Sequence, residues 1–212
     1  MRIQLLLMAK TPEPGRVKTR LCPPATPEQA ATIAEAALRD TIDVLSAMPA
    51  ARRTIVLSGR YPVPSGWHAV AQRGDGLAER LVHAYADTAL AGTPSLLVGM
   101  DTPQLTTALL TTAARRLRGR TDAVLGPAED GGWWTLGLRD PTHAAALRSV
   151  RMSTSDTGAH SFAALRDRGL SVALLDRLRD VDTAEDAYAV AARHPYGRFA
   201  RAVRAHLPVT TG

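Results

Sequence analysis

Four shortages in this chain each remove an explanation. It has a single cysteine, Cys22. One thiol supports neither a disulfide framework nor a cysteine zinc site, and no motif sets a histidine beside it to make a nucleophile. Aromatic residues are 4% of the chain and are not interleaved with the basic ones, as a base-stacking platform requires. No apolar run approaches the roughly 20 residues of a membrane span. The first run, Ile3 to Met8, is too short for a signal peptide with its cleavage region. The expectation is a soluble cytoplasmic protein with no membrane partner. GxSxG, HExxH, GxxxxGK[ST] and a helix-opening GxGxxG are also missing. The histidines, His68, His83, His143, His160, His194 and His206, show no ligand-like spacing.

Lysine is the fourth shortage and the informative one. Among 26 basic residues only Lys10 and Lys18 are lysine. Both lie in Lys10-Thr11-Pro12-Glu13-Pro14-Gly15-Arg16-Val17-Lys18-Thr19-Arg20, directly after an apolar run. Lysine is a mobile point charge and arginine a rigid fork, so the two are not interchangeable at a phosphate. Pro14-Gly15 lets backbone amides approach an anion closely. The loop reads as a polyphosphate cradle, against the alternative of a solvated basic loop.

A length of 212 residues with 45% hydrophobic content suits one domain, residues 1–212, with a core of Ala, Leu and Val. The net charge of +6 suits a small anionic substrate better than nucleic acid. Most arginines are scattered, and the knot at Arg115, Arg116, Arg118 and Arg120 falls at an expected helix end, where cations favour the macrodipole.

Short β-like runs alternate with longer helical ones. Strands are expected at Ile3–Met8, Thr54–Ser58, Ala69–Gln72, Ser95–Gly99, Ala123–Leu125, Trp133–Leu138 and Ser171–Leu174. Helices are expected at Pro27–Met48, Leu77–Ala91, Pro103–Leu117, Ser161–Asp167, Ala184–Arg193 and Arg198–His206. The alternation predicts an α/β fold of three layers, α/β/α, with a mostly parallel central sheet. Ligands of such sheets bind beyond the carboxyl ends of the strands. Tyr196–Leu207 could close the domain or serve as a dimer face.

Two aspartates occupy matching places. Asp101 follows the apolar run Ser95–Met100, and Thr102 with Pro103 can open the next helix, leaving Asp101 free. In Arg179-Asp180-Val181-Asp182-Thr183, Thr183 can cap a helix with Asp186 as its partner, leaving Asp182 free. The alternative is a capping pair of Asp182 and Glu185. Beside a polyphosphate, two carboxylates need a divalent cation to offset repulsion, so Asp101 and Asp182 are expected to hold Mg²⁺ or Mn²⁺. Asp180 is the alternative second ligand.

The segment Gly126-Pro127-Ala128-Glu129-Asp130-Gly131-Gly132-Trp133-Trp134 suggests backbone brought close to a ligand, or a plain hairpin turn. Trp133 and Trp134 should point to opposite faces, one into the core and one to a site. Gln72-Arg73-Gly74-Asp75-Gly76 is a third strand-end loop, with Arg80 one turn into the helix after it.

In this order the motifs span nearly the whole chain. They resemble the radical-SAM/selenodomain-associated, glycosyltransferase-like family of the nucleotide-diphospho-sugar transferase (GT-A) superfamily. The Lys-Thr-Arg-Leu and Asp-Val-Asp-Thr motifs are also similar to those of phospholactate and phosphoenolpyruvate guanylyltransferases. The resemblance implies nucleotide binding by Lys10, Gly15, Arg16, Lys18, Arg20, Gln72 and Asp75, with Lys18, Arg20 and Asp101 catalytic. It implies Mg²⁺ on Asp101 and Asp182, and acceptor binding by Glu129, Asp130, Gly131, Gly132 and Trp134. Met152-Ser153-Thr154 stands where the family has Trp-Ser-Thr, and Gly74-Asp75-Gly76-Leu77-Ala78 where it has Gly-Asp-Leu-Gly. The expected activity is a metal-dependent nucleotidyltransferase joining an NTP-derived nucleotide to a small anionic acceptor, phosphorylated or carboxylic, with pyrophosphate released. A glycosyltransferase using an NDP-sugar, with Glu129 or Asp130 as base, is the alternative. A non-catalytic nucleotide-binding module is the third.

Overall fold

The computed structural model describes residues 3–208. Among these residues seven strands form one sheet in the order β3-β2-β1-β4-β6-β5-β7. They are β1 Gln4–Lys10, β2 Arg52–Ser58, β3 His68–Ala71, β4 Ser95–Gly99, β5 Ala123–Pro127, β6 Trp133–Leu138 and β7 Val172–Leu174. Only β6 runs against its neighbours, so the loops after β1, β4 and β5 open at one edge. The helices are α1 Pro27–Ala47, α2 Leu77–Thr88, α3 Thr107–Arg118, α4 Thr157–Arg166, α5 Ala184–Arg193 and α6 Arg198–His206. Among the described residues no helix is long and apolar enough to cross a membrane.

Strand alternation sorts the core onto two faces. Leu5, Leu7, Ile55, Leu96 and Val98 face α1 and α3, while Leu6, Val56, Leu97 and Leu136 face α2 and α4. Alpha-helical spacing does the same for α1. Ala31, Ala34, Leu38, Ile42 and Leu45 face the sheet, and Ala30, Ile33 and Ala37 join a third cluster with α5 and α6. Small alanines let α1 be packed on two sides. Each fully buried leucine contributes roughly 1.5–3 kcal/mol. The Tyr85 hydroxyl, buried in the second core, donates to Leu136 O at 2.6 Å, so its burial leaves no orphaned polar group.

Thr26 caps α1 in a full capping box with Gln29. Asp40 of α1 accepts from Arg198 N at 3.1 Å and Phe199 N at 2.9 Å, a cap supplied to α6 from a distant helix. The segment after Tyr196 thus packs back onto α1 and α5.

Three expectations are corrected. α3 starts at Thr107, capped by Thr106, because Pro103 opens a tight turn in which Thr102 O accepts from Leu105 N at 3.1 Å. α4 begins four residues before the expected Ser161, at Thr157. A 3-10 helix at Pro141–Ser149 was not expected, although Asp140 before Pro141 is a legible cap, its carboxylate accepting from Thr142 N.

Candidate active site

Lys18 stands at the head of a 3-10 turn, Thr19–Leu21, in the left-handed region at φ 48°. Its side chain is 8% exposed, and Nζ contacts Asp101 Oδ1 and lies 3.3 Å from Asp182 Oδ1. Arg20 Nη1 is 3.4 Å from the other Asp182 oxygen. Burial by itself pulls the Lys18 ammonium down. The charges of Asp101 and Asp182, with hydrogen bonds to both, reverse this and hold it above its ordinary value. Lys18 is therefore a charged floor to the site at neutral pH.

The acidic segment is anchored by backbone. Leu178 N donates to Pro127 O at 3.1 Å and Glu129 N to Leu178 O at 2.9 Å, continuing the line of β5. Val181 N donates to Asp101 O at 2.9 Å, and the buried Gln104 amide donates to Arg179 O. These two bonds tie the loop after β4 to the segment bearing Asp180 and Asp182. Thr183 and Asp186 form the capping box of α5, so the Asp182 carboxylate is not used by the helix.

Ligand oxygens of Asp130, Asp180 and Asp182 lie within 4.8 Å of one another. Burial first, and then the neighbouring Asp130 charge, push Asp180 up to about 6. Three crowded carboxylates are the donor chemistry of a hard divalent cation, so the residues present fit Mg²⁺ or Mn²⁺. Asp101, expected as a ligand, stands outside this trio with its carboxylate on Lys18. Asp130, expected at the acceptor, stands inside it.

A continuous cleft runs over this edge in two halves. One, of about 470 Å³, is lined by Lys10, Arg16, Lys18, Arg20, Gln72 and Arg80. The other, of about 540 Å³, is lined by Asp130, Gly132, Trp133, Met152, Thr157 and Asp180. Met8, Arg20, Leu77, Asp101, Ser153 and Asp182 border both.

Several expected residues lie elsewhere. Gly15 is at the exposed loop tip with φ 73° and is not part of the lining. Asp75 is exposed outside the cleft, its amide donating to Glu79. Glu129 is paired to Arg179 at 2.6 Å. Gly131, at φ 89°, is needed for loop packing: a Cβ there would sit 1.8 Å from Ser155 O. Trp134 is 2% exposed in the core, its Nε1 donating to Asp176 O at 3.0 Å. The cause is an irregularity: Pro127 pairs with Trp133 and Gly126 with Thr135, leaving Trp134 as the extra residue. Its ring lies over Gly126, where a Cβ would come within 2.3 Å of it. Trp133 is the tryptophan at the cleft. Gln104 was missed altogether, since the sequence places it inside a helix that starts later.

A family model described as "Uncharacterized protein conserved in bacteria (DUF2064)" matches residues 32–154. The chain belongs to this family. The matched span holds Gln72, Asp101 and Asp130, and excludes the lysine loop and the Asp180–Asp182 segment. A crystal structure from Desulfovibrio desulfuricans G20, named provisionally as a nucleotide-diphospho-sugar transferase, has a TM-score of 0.83 at 26% identity, over 97% of this chain and 98% of that one. The manganese complex of Rv0371c from Mycobacterium tuberculosis H37Rv has a TM-score of 0.58 at 21% identity, over 90% and 97%. The 2-C-methyl-D-erythritol 4-phosphate cytidylyltransferase of Thermus thermophilus has a TM-score of 0.58 at 14% identity, over 92% and 100%. The last two share the fold with this chain. No curated protein matches the sequence. The fold is that of the nucleotide-diphospho-sugar transferase-like α/β proteins.

Proposed function

We propose that this protein is a nucleotide-dependent transferase that moves a nucleotidyl group from an NTP to a small acceptor and releases pyrophosphate. The observation that carries the reading is the buried Lys18 between Asp101 and Asp182, at the junction of a cationic half-cleft and three crowded carboxylates. A triphosphate with a divalent cation carries the complementary charges. The name of the Thermus protein and the manganese bound to Rv0371c support the same reading, and the name of the Desulfovibrio protein supports its coarser form, a nucleotide-dependent transferase. So does the resemblance of the loop motifs to the radical-SAM/selenodomain-associated family.

In this reading Lys10, Arg16, Arg20 and Arg80 draw in the phosphates. An ammonium has three donors. Two of those on Lys18 face the aspartates, which leaves one for a phosphate oxygen. The acceptor attacks the α-phosphorus, the bond to the bridging oxygen breaks, and pyrophosphate leaves with that electron pair. Lys18 and Arg20 stabilise the charge that gathers on the leaving group, a preorganised electrostatic role. Asp130, Asp180 and Asp182 would hold a divalent cation, whose chemistry is to bridge and neutralise phosphate oxygens.

Incubation with each NTP, Mg²⁺ or Mn²⁺ and pooled small acceptors should yield pyrophosphate. Slow release of NDP from an NDP-sugar, without pyrophosphate from any NTP, would replace nucleotidyl by glycosyl transfer.

A further inference from the structure

Main-chain geometry singles out one residue of the cleft that nucleotidyl transfer, as described above, does not use. Among the described residues, two that are not glycine have positive φ: Lys18 at 48° and Ser153 at 60°. A left-handed conformation is strained for a residue with a Cβ, and it persists only where the surroundings enforce it. Both residues line the cleft.

Two sets of contacts enforce it at Ser153. Thr157, 6% exposed at the start of α4, accepts from Thr154 N at 3.0 Å through its hydroxyl, and the same hydroxyl donates to Arg151 O at 3.2 Å. One side chain thus closes the segment 151–157 around Ser153. Behind it, Gly158 N donates to Gly131 O at 2.8 Å, and Ser155 O packs directly on Gly131. The segment is therefore pinned to the loop that carries Asp130, whose carboxylate accepts from Gly132 N at 2.7 Å. Ser153 is held in a fixed relation to the three crowded carboxylates and the cation they would bind. None of this bracing uses the Ser153 hydroxyl.

Position gives that hydroxyl a task. Of the residues that border both halves of the cleft, Ser153 alone carries one. In nucleotidyl transfer the α-phosphoryl group is bonded to the leaving group before the step and to the acceptor after it, so it must sit where the halves meet. Its non-bridging oxygens only accept hydrogen bonds, and bonds to such charged oxygens are strong. Asp130, Asp180 and Asp182 have no donor to offer it and reach it only through the cation. Lys18 and Arg20 are directed to the leaving pyrophosphate.

We propose that Ser153 contacts the substrate, its hydroxyl donating to a non-bridging oxygen of the α-phosphoryl group during transfer. The serine keeps its proton throughout. The acceptor forms its bond to phosphorus, the bond to the bridging oxygen breaks, and pyrophosphate takes the electron pair. The braced turn holds the donor in place before the substrate arrives, which is the preorganisation that makes such a contact effective. The proposal rests on the nucleotidyl-transfer reading.

The test compares wild type, Ser153→Ala and Ser153→Gly, each as the full chain with Mg²⁺. Calorimetry follows binding of inorganic pyrophosphate and of the α,β-methylene analogues of ATP, GTP, CTP and UTP. The analogues keep the α-phosphoryl oxygens, and pyrophosphate lacks that group. Both variants should bind the analogue preferred by wild type about tenfold more weakly, and bind pyrophosphate within about twofold of wild type. Thermal melts separate contact from folding. Alanine keeps the strain and should melt near wild type, and glycine, which takes φ 60° freely, should melt no lower than alanine. Undiminished analogue binding in Ser153→Ala, or an equal loss of analogue and pyrophosphate, overturns the assignment and leaves nucleotidyl transfer standing. Failure of every analogue to bind wild type sinks nucleotidyl transfer, and the role of Ser153 with it.

Discussion

The basic half of the cleft comes mainly from one stretch of chain, and the acidic, apolar half from five. Met8 to Arg20 supply most of the first, joined by Gln72 and the start of α2. Residues near 81, 97, 130, 153 and 180 meet only in space to make the second. The halves also differ in chemistry, one basic and the other acidic and apolar. A polyphosphate demands charge that one loop can carry. An acceptor pocket needs shape, and shape needs walls from several elements.

The comparison breaks most sharply at Lys18. Lys18→Ala should cost on the order of 10²–10³ in turnover, the range for losing one group that stabilises transition-state charge. Folding should change little, because Asp101 and Asp182 are 45% and 40% exposed. Steady-state kinetics with a thermal melt checks both. Lys18→Arg should not rescue activity, since a guanidinium fork cannot replace a buried ammonium held between two carboxylates.

Asp180→Asn comes next, with divalent-cation affinity falling roughly 10- to 100-fold. The wild-type carboxylate titrates near 6, so Mn²⁺ affinity should fall as pH drops through that value, and the variant should lose that dependence. Without metal the sign for stability is opposite. A raised folded-state value means the native chain holds the extra proton, so its contribution is full below the ordinary carboxylate range and is lost as pH rises through about 6. Mn²⁺ titrations and melts between pH 4 and pH 8 read the two effects.

Gly131→Ala tests whether the halves can be separated. Its Cβ would strike Ser155 O, so it should destabilise by about 1–3 kcal/mol. It should raise the acceptor KM and leave pyrophosphate binding near wild type. An equal loss of both would mean that the halves form one rigid unit. Arg80→Ala should have the smallest effect, a few-fold weaker nucleotide binding that vanishes at high salt. Titration of an NTP analogue at two ionic strengths decides it.

Legibility followed distance along the chain. The capping box at Thr183, the ends of α5 and α6, and the arrest of β4 before Asp101 were readable, since each depends on residues a few positions apart. The start of α3 was not, because Thr102, Pro103 and Leu105 close a turn before Thr106 takes over the cap. Trp134 was expected at the acceptor, but the pairing of β5 with β6 makes it the extra residue in the core and leaves Trp133 at the cleft. Gln104 carries no signal of its own: its role exists only because Arg179 O arrives beside it.

By itself the sequence determined the alternating α/β order, the basic loop with its two lysines, and the Thr183–Asp186 cap that leaves Asp182 free. Those features follow from periodicity, capping chemistry and loop composition, all of which act over a few residues. Only the tertiary structure decided that Lys18 is buried between two aspartates, that Asp130 and Asp180 crowd Asp182, and that Trp133 faces the cleft. Those outcomes turn on where strand ends and loops far apart in sequence come to rest, and a side chain acquires its partners only there.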